Sequence, residues 1–358
     1  MEARDFRNLE KLTYRPGSGL NIILGDNAQG KTNILESIYL LSVGTSFRTG
    51  SDKNLLRYDK ETYALRGLYS CNDRNLEAEL TYHLKSGKMF KINSKKTTFG
   101  NPLRLRVVIF SPDDLFLIKG SPHKRRQFLD FILTQIKSEY NYNLVNYSKI
   151  LKKRNLLLKR EQYNTRSFAI IEEVFIENAA RIILARINLI NNLDEYAASI
   201  YQEITNRKGN LKIRYALSFP LESGKINHDA LKEALKKQIG EKKEQEIKRR
   251  SSLVGPHRDD LNVYQDGRIA RYFASQGQQR NIVVALKLAE LHTLKKISGF
   301  NPVFLLDEVL SELDREKRHL LLDYLQEAGF QSFLTSVNLD EIDHKSAAVV
   351  TVKNGHLQ

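Results

Sequence analysis

The sequence predicts an α/β fold organised on a phosphate-binding loop, and two apolar runs, each with a polar motif directly behind it, predict that fold. Leu20 to Leu24 is a short apolar run. It opens into Gly25-Asp26-Asn27-Ala28-Gln29-Gly30-Lys31-Thr32, and an amphipathic run begins at Asn33. Strand, glycine-bounded loop and helix together carry the spacing G-x-x-x-x-G-K-[ST] of a P-loop. The second run, Pro302 to Leu306, ends in Asp307 and Glu308. A buried parallel strand would deliver both carboxylates at its C-terminal edge, beside the loop.

Each residue type of the loop has a chemical reason. Gly25 and Gly30 let the backbone bend and approach an anion with no Cβ in the way. Successive N–H groups and the positive end of the following helix would face the phosphates. Gly25, Asp26, Asn27, Ala28, Gln29, Gly30, Lys31, Thr32 and Asn33 form the predicted nucleotide-binding set. Lys31 would reach the terminal phosphates of ATP from a solvent-facing position. Thr32 would ligate Mg²⁺ together with Asp307, and Glu308 would orient and polarise the attacking water.

Along the rest of the chain, residues 6–14 form an early segment that ends in a turn at Arg15-Pro16-Gly17-Ser18-Gly19. The loop helix runs from Asn33 through Ile34, Leu35, Ile38 and Leu41 to Gly44 on a 3.6-residue apolar period. Residues 62–69, 76–84 and 88–92 alternate or are β-branched and aromatic, which predicts antiparallel strands. Leu105 to Phe110 predicts a buried strand that Ser111-Pro112 stops. From Pro122 to Arg207 the pattern is helical throughout. A strand at 211–219 and a charged helix at 229–250 come next. The cluster Gly255-Pro256-His257-Arg258-Asp259-Asp260 has spacing too tight for a metal site. Asp266-Gly267 reads as a hairpin turn between 261–265 and 268–273. This predicts an ATP-binding lobe from 1–120 and 251–358, and a mostly helical lobe from 121–250.

Composition narrows the partners. The formal charge is +15 over 358 residues, and it is uneven. Residues 121–160 hold ten basic and two acidic side chains, a local +8, while residues 301–358 hold five basic and ten acidic ones. A basic surplus predicts a polyanionic partner. On a helical wheel Leu144, Tyr147, Ile150, Leu151, Leu157 and Leu158 share one side. Lys149, Lys152, Lys153, Lys159 and Arg160 share the other, and Arg154 breaks the pattern. An ordinary solvated helix would look the same for any one lysine; the block as a whole reads as a ridge for DNA phosphates. One cysteine excludes an intramolecular disulfide. No signal peptide and no stretch of 18 apolar residues are present, so neither export nor a membrane partner is expected.

A further motif is Ser275-Gln276-Gly277-Gln278-Gln279, ahead of the apolar-periodic run Ile282 to Leu291. A small polar residue and a glycine at a helix start make a second anion site, although a plain capped helix would show them too.

Taken together these residues resemble the ABC-type ATPases. Ser275 to Gln279 resembles their signature motif, and Ser311-Glu312-Leu313-Asp314 resembles their D-loop. The long helical segment between P-loop and signature is similar to the SMC-like branch, and within it to a family of bacterial recombination mediators. Phe6-Arg7-Asn8, Ser46-Phe47-Arg48-Thr49, Phe110 to Leu115, Lys119 to Pro122, Arg125-Arg126, Phe128-Leu129-Asp130 and Gly255 to Asp260 carry that likeness. The resemblance implies an ABC head with a P-loop α/β lobe, an antiparallel β part and an inserted helical lobe. It implies a cytoplasmic DNA-binding ATPase of repair, replication restart and SOS induction. The implied partners are RecR, RecO and DNA, duplex or at single-strand–duplex junctions, with RecA loading as the outcome. It further implies a homodimer formed with ATP, in which Ser275, Gln276, Gly277 and Gln278 of one copy cap the nucleotide of the other, with Ser311 and Asp314 in the D-loop.

Two departures from the ABC pattern imply slow hydrolysis, with ATP acting as a dimerisation switch. Ser111 stands where a glutamine is usual, and Phe333-Leu334-Thr335-Ser336 lacks the usual switch histidine. The short segment before Phe6 leaves the place of Arg7 open. The rival readings are a transporter's ATP-binding subunit and an SMC-like structural ATPase. The basic helical lobe argues against the first, and the absence of heptads and of a cysteine hook argues against the second.

Overall fold

The N-terminal hairpin, β1 (Glu2–Phe6) and β2 (Leu9–Thr13), is the seed of a twisted antiparallel sheet. The P-loop unit interrupts it, as β3 (Leu20–Leu24) leads into α1 (Lys31–Val43). The sheet then resumes with β4 (Thr62–Cys71), β5 (Arg74–His83), β6 (Gly87–Ile92) and β7 (Lys95–Thr97), in the order β2-β1-β4-β5-β6-β7. Period-two patterning explains it: Tyr63 and Leu65 on β4 and Leu76, Ala78, Leu80 and Tyr82 on β5 are buried, and the residues between them face outward. β8 (Val107–Phe110) is buried at every position, as a strand covered on both faces must be.

The helical stretch begins with α2 (Pro122–Ile136), which has proline at its first turn, where a missing N–H costs nothing. α3 (Ser138–Lys159) and the 39-residue α4 (Arg166–Ile204) come after it. Thr165 caps α4 by accepting from Phe168 N. Then come β9 (Leu211–Ala216), α5 (His228–Glu241), α6 (Lys243–Arg249), β10 (Asp260–Gln265), β11 (Arg268–Ile269) and the one-turn α7 (Ala270–Phe273). The predicted hairpin at Asp266-Gly267 forms, but its second strand stops at Ile269, because residues 270–273 turn into a helix. The chain finishes with α8 (Gln276–Ser298), β12 (Val303–Leu306), α9 (Arg315–Glu327), β13 (Ser332–Ser336), β14 (Ala348–Lys353) and β15 (His356–Leu357).

The computed structural model describes residues 1–71, 74–206, 208–221, 226–339 and 347–358. Arg207, at the end of the predicted helical stretch, and positions 340–346 of the acidic C-terminal stretch lie outside them. Two compact units result: Met1–Phe116 with Val283–Gln358, and Leu117–Ile282. Residues 251–282, expected with the ATP-binding lobe, pack in the second unit instead. The reason is pairing: β10 lies antiparallel between β9 and β11.

In the first unit the second sheet has the order β15-β14-β3-β13-β12-β8, and β14, β3, β13, β12 and β8 run parallel. Ile22, Ile23, Val107, Val108, Phe304, Leu305 and Leu334 fill its interior. Burying each such side chain contributes about 1.5–3 kcal/mol. In the second unit the core includes Phe175, Ala179, Ile182, Ile183 and Leu193 on α4. Arg154, which broke the amphipathic pattern of α3, is buried there too. It donates to Glu172, Glu246 and Ser252 at 2.6–2.7 Å. A buried cation is tolerable only when so paired.

Candidate nucleotide site

The P-loop leaves the C-terminal end of β3 through Gly25 at φ +152°, where a Cβ would lie 2.5 Å from the Val352 carbonyl oxygen. It enters α1 through Gly30 at φ +114°, where a Cβ would lie 2.8 Å from Asn8 Oδ1. Gly25 is therefore required by sterics as well as by backbone angle, and Gly30 by its backbone angle, with the Asn8 amide crowding it. The first N–H groups of α1 have no partners within the helix and lie at its positive end. Asp26, Asn27 and Ala28 are exposed at the loop tip. Gln29 is committed elsewhere: its Oε1 accepts from Asn354 N at 2.6 Å, and its carbonyl accepts from Gly355 N and Asn8 Nδ2. Gln29 thus braces the loop against the β14–β15 turn. Asn33 donates to Asn8 Oδ1 and accepts from Arg48.

Lys31 is buried, not solvent-facing as its chemistry alone suggested. Its ammonium donates to the carbonyls of Gly25 (2.7 Å) and Asp26 (3.0 Å) and lies 3.3 Å from Glu308 Oε1. The loop it belongs to supplies those oxygens, so the side chain folds over its own backbone.

The acidic pair stands where the strand order puts it. β13 lies between β3 and β12, so three strand ends converge. Thr32 Oγ1 donates to Asp307 Oδ1 at 2.8 Å, and Thr335 Oγ1 from the end of β13 donates to the same oxygen at 3.0 Å. Burial pushes the Asp307 carboxyl above the ordinary carboxylate range; the two hydroxyls oppose this and the Glu308 charge adds to it. Glu308 has a left-handed backbone, φ +52°, which costs a non-glycine residue about 1–3 kcal/mol. Its N–H donates to Thr335 Oγ1 at 2.9 Å and its carbonyl accepts from Ser311 Oγ at 2.7 Å, so both sides of the strained residue are held. Its carboxylate stands on the lip of an open cleft of about 460 Å³, which Asn27, Ser311, Arg318, Thr335 and Asn338 also line. Thr335 and Asn8 were not predicted as site residues. Thr335 had one signal, a polar residue ending an apolar run at the place where a histidine is usual.

Glu36, fully buried on α1, organises the wall behind the loop. Arg7 donates to both its oxygens at 2.9 Å, and Ser46 also bonds to it. Arg7, whose place was open, is thus fixed to the P-loop helix. Ser111 does not reach outward: its N–H and hydroxyl both donate to Asp114. Asp114 also pairs with the buried Lys287 at 3.0 Å, which in turn meets Glu290 at 3.3 Å. Burial pushes the Glu290 carboxyl up to about 7 from 4.5, more than the Lys287 charge lowers it. The folded chain therefore holds an extra proton between those values. The contribution of this one group is full below about 4.5 and is lost as pH rises to about 7, by roughly 3 kcal/mol. The expected result is that Glu290→Gln flattens the melting temperature against pH between 5 and 8; an unchanged profile would remove Glu290 as its cause.

Within the second unit the signature residues form a reciprocal cap. Ser275 N donates to Gln278 Oε1 at 2.8 Å, and Gln278 N donates to Ser275 Oγ at 3.3 Å. This is a capping box that starts α8. Ser275, Gln276, Gly277 and Gln278 are exposed. In the first unit Asp314 caps α9 by accepting from Lys317 N, beside the exposed Ser311. Lys149, Lys152, Lys153 and Lys159 on α3 and Arg160 at its C-cap are all exposed, while Arg125 and Arg154 of the same +8 block are buried.

A P-loop on a parallel sheet, an acid pair at the end of another strand of that sheet and a capped signature helix define an ATPase head of the SMC-like ABC type. The family described as RecF/RecN/SMC N terminal domain matches residues 1–357. The chain is 37% identical to the DNA replication and repair protein RecF of Symbiobacterium thermophilum, over 94% of this chain and 90% of that one. It is equally identical to RecF of Bacillus cereus, over 99% and 96%. A solved structure of the recombination mediator protein RecF with ATPrS in the RecFOR pathway superposes with a TM-score of 0.89 at 35% identity, covering 100% of this chain and 96% of that one. The chain belongs to the RecF family.

Proposed function

We propose that this chain is an ATP-dependent DNA-binding recombination mediator, in which ATP acts mainly as a dimerisation switch and is hydrolysed slowly. The observation that carries the reading is the convergence of Lys31, Thr32, Asp307, Glu308 and Thr335 at one end of the parallel sheet. Full-length similarity to RecF proteins supports it, one of them solved with ATP. Thr32 and Asp307 offer Mg²⁺ a hydroxyl and a carboxylate oxygen 2.8 Å apart. That donor set fits a hard cation that takes one or two carboxylates and completes its shell with phosphate and water. Bound there, Mg²⁺ would neutralise phosphate charge. The P-loop N–H groups, from Gly25 to Asn33, hold the phosphates. Lys31 exchanges its carbonyl partners and Glu308 for phosphate oxygens, which frees the Glu308 carboxylate to orient water and take its proton.

In this reading the first unit is the ATP-binding lobe. The signature residues Ser275 to Gln278 cap the nucleotide of a second copy, with Ser311 and Asp314 at the same seam, and two ATPs are shared about a two-fold axis. Exposed lysines on α3 meet DNA, duplex or at single-strand–duplex junctions. RecR and RecO are the protein partners, in repair, replication restart and the SOS response within the cytoplasm. No described helix is long and apolar enough to cross a membrane.

Lys31→Met tests the site. ATP affinity should be lost and ATP should no longer tighten DNA binding. The carbonyls of Gly25 and Asp26 lose their donor, so a destabilisation of about 1–3 kcal/mol accompanies the loss. Nucleotide titration and thermal melting are the measurements, and wild-type affinity in the mutant would sink the P-loop assignment.

A further inference from the structure

The cluster Gly255 to Asp260 has no part in the proposed ATP site, yet it is densely hydrogen-bonded. Gly255 sits at φ +124°, and its carbonyl accepts from Arg258 N and Asp259 N. Ser252 O can only accept, so His257 Nε2 carries the proton at 3.1 Å from it, and Nδ1 accepts from Tyr147 OH at 2.6 Å. Asp259, fully buried, accepts from Tyr215 OH at 2.9 Å and Ser218 N at 2.8 Å. These contacts tie the loop to α3, to β9 and to the residues just after β9.

Asp260 differs: besides the adjacent Leu261 N, its carboxylate meets side chains from both stretches by which the chain enters and leaves the second unit. Arg125 on α2 binds it through both nitrogens, at 2.7 and 2.8 Å. The same guanidinium donates to the carbonyls of Leu117, Ile118 and Gly120, the first residues of the unit. On the outgoing side Arg271 NH1 lies 3.5 Å from Asp260 Oδ2. Arg271 belongs to α7, which precedes Ser275 and the helix in which the unit ends. One turn of helix cannot hold itself in place. Tyr272 and Phe273 are each 66% exposed, and Arg271 stacks on Tyr272 at 4.7 Å without burying it. Ala270 and Arg271 are thus the anchors of α7, and Gln279 ties the far side of the turn through Ala274 O at 2.7 Å.

We propose that Asp260 is a positioning residue for the signature: one carboxylate, shared by Arg125 and Arg271, fixes the turn carrying Ser275 against the incoming segment 117–120, in the orientation that a second copy of this chain requires. The inference rests on the proposed function, in which the signature caps nucleotide held by that second copy. Removing the charge leaves two guanidiniums facing each other. The partly exposed Arg271 is then the one that moves, and the signature turn moves with it. The P-loop of the same chain is untouched.

The test is sedimentation of the full chain with a non-hydrolysable ATP analogue, beside nucleotide titration of the dilute monomer. Asp260→Asn and Arg271→Gln should each weaken the ATP-induced dimer at least tenfold, with monomer nucleotide affinity within twofold of wild type. Arg271→Lys should recover part of the loss. A merely structural ion pair would change melting without that split. If Asp260→Asn fails to fold, Arg271→Gln decides, because its side chain is partly exposed. A wild-type dimer constant in Arg271→Gln overturns the proposal. Ser275→Arg distinguishes failure of the signature from failure of Asp260. If it dimerises normally, the signature reading itself fails and the proposal with it. If it does not, while Arg271→Gln dimerises as wild type, only the role of Asp260 is lost.

Discussion

Glu308→Gln is expected to bind ATP and to hydrolyse it about 10² to 10⁴ times more slowly, the range over which a positioned base acts. The structure sharpens this expectation. The backbone of Glu308 is held by Thr335 on one side and Ser311 on the other, and neither contact involves its side chain. The amide therefore occupies the same place at the cleft lip with the same shape. It loses only the charge and the ability to take a proton. It also loses the ion pair to Lys31, and with a neutral neighbour the ammonium is freer to move to phosphate. Nucleotide affinity should be unchanged or higher while single-turnover hydrolysis collapses. Undiminished turnover would show that Glu308 is not the catalytic carboxylate.

Reversing Lys149, Lys152 and Lys153 to glutamate should weaken DNA binding for all sequences alike. It should also lower the slope of log affinity against log salt by roughly 3, about 0.9 for each phosphate contact removed. The three lysines are exposed and spaced so that they share one face of α3. A closed dimer would offer two such faces at fixed separation, so ATP should tighten DNA binding. DNA must then tighten the ATP-bound dimer by the same free energy. Fluorescence anisotropy on duplex and junction DNA at several salt concentrations, with and without nucleotide, measures all of this. If the triple mutant keeps both affinity and slope, α3 carries only a solvated face. DNA would then sit elsewhere, with Lys124, Arg126 and Lys248 to Arg250 as the remaining candidates. Arg125 is not among them, since it is spent on Asp260.

The local parts of the site were legible because their spacing dictates their backbone. Gly25 and Gly30, with Lys31-Thr32 directly behind them, dictate a loop between strand and helix, and the loop formed there. Ser275 followed three residues later by Gln278 dictates a helix cap, and the cap formed. The wheel of α3 separated its exposed lysines from a side on which Tyr147 and Leu158 are buried and Leu144, Ile150, Leu151 and Leu157 are half-buried. Periodicity reports which face is apolar; it carries no record of the segments that cover that face. Arg154 broke the pattern of α3 because Glu172 and Glu246, distant in sequence, make a buried cation tolerable.

From the sequence alone came the P-loop, the acidic strand end, the signature cap and the basic ridge, each set by neighbours within a few residues. Tertiary structure alone decided the rest. Insertion of β13 between β3 and β12 brought Thr335 onto Asp307 and Glu308, and strand order is not written locally. Closure of the loop over its own carbonyls buried Lys31. Pairing of β10 with β9 drew residues 251–282 into the second unit, where Asp260 meets both ends of that unit's chain. Each outcome depends on which distant segment satisfies a buried polar group, and only the folded chain makes that choice.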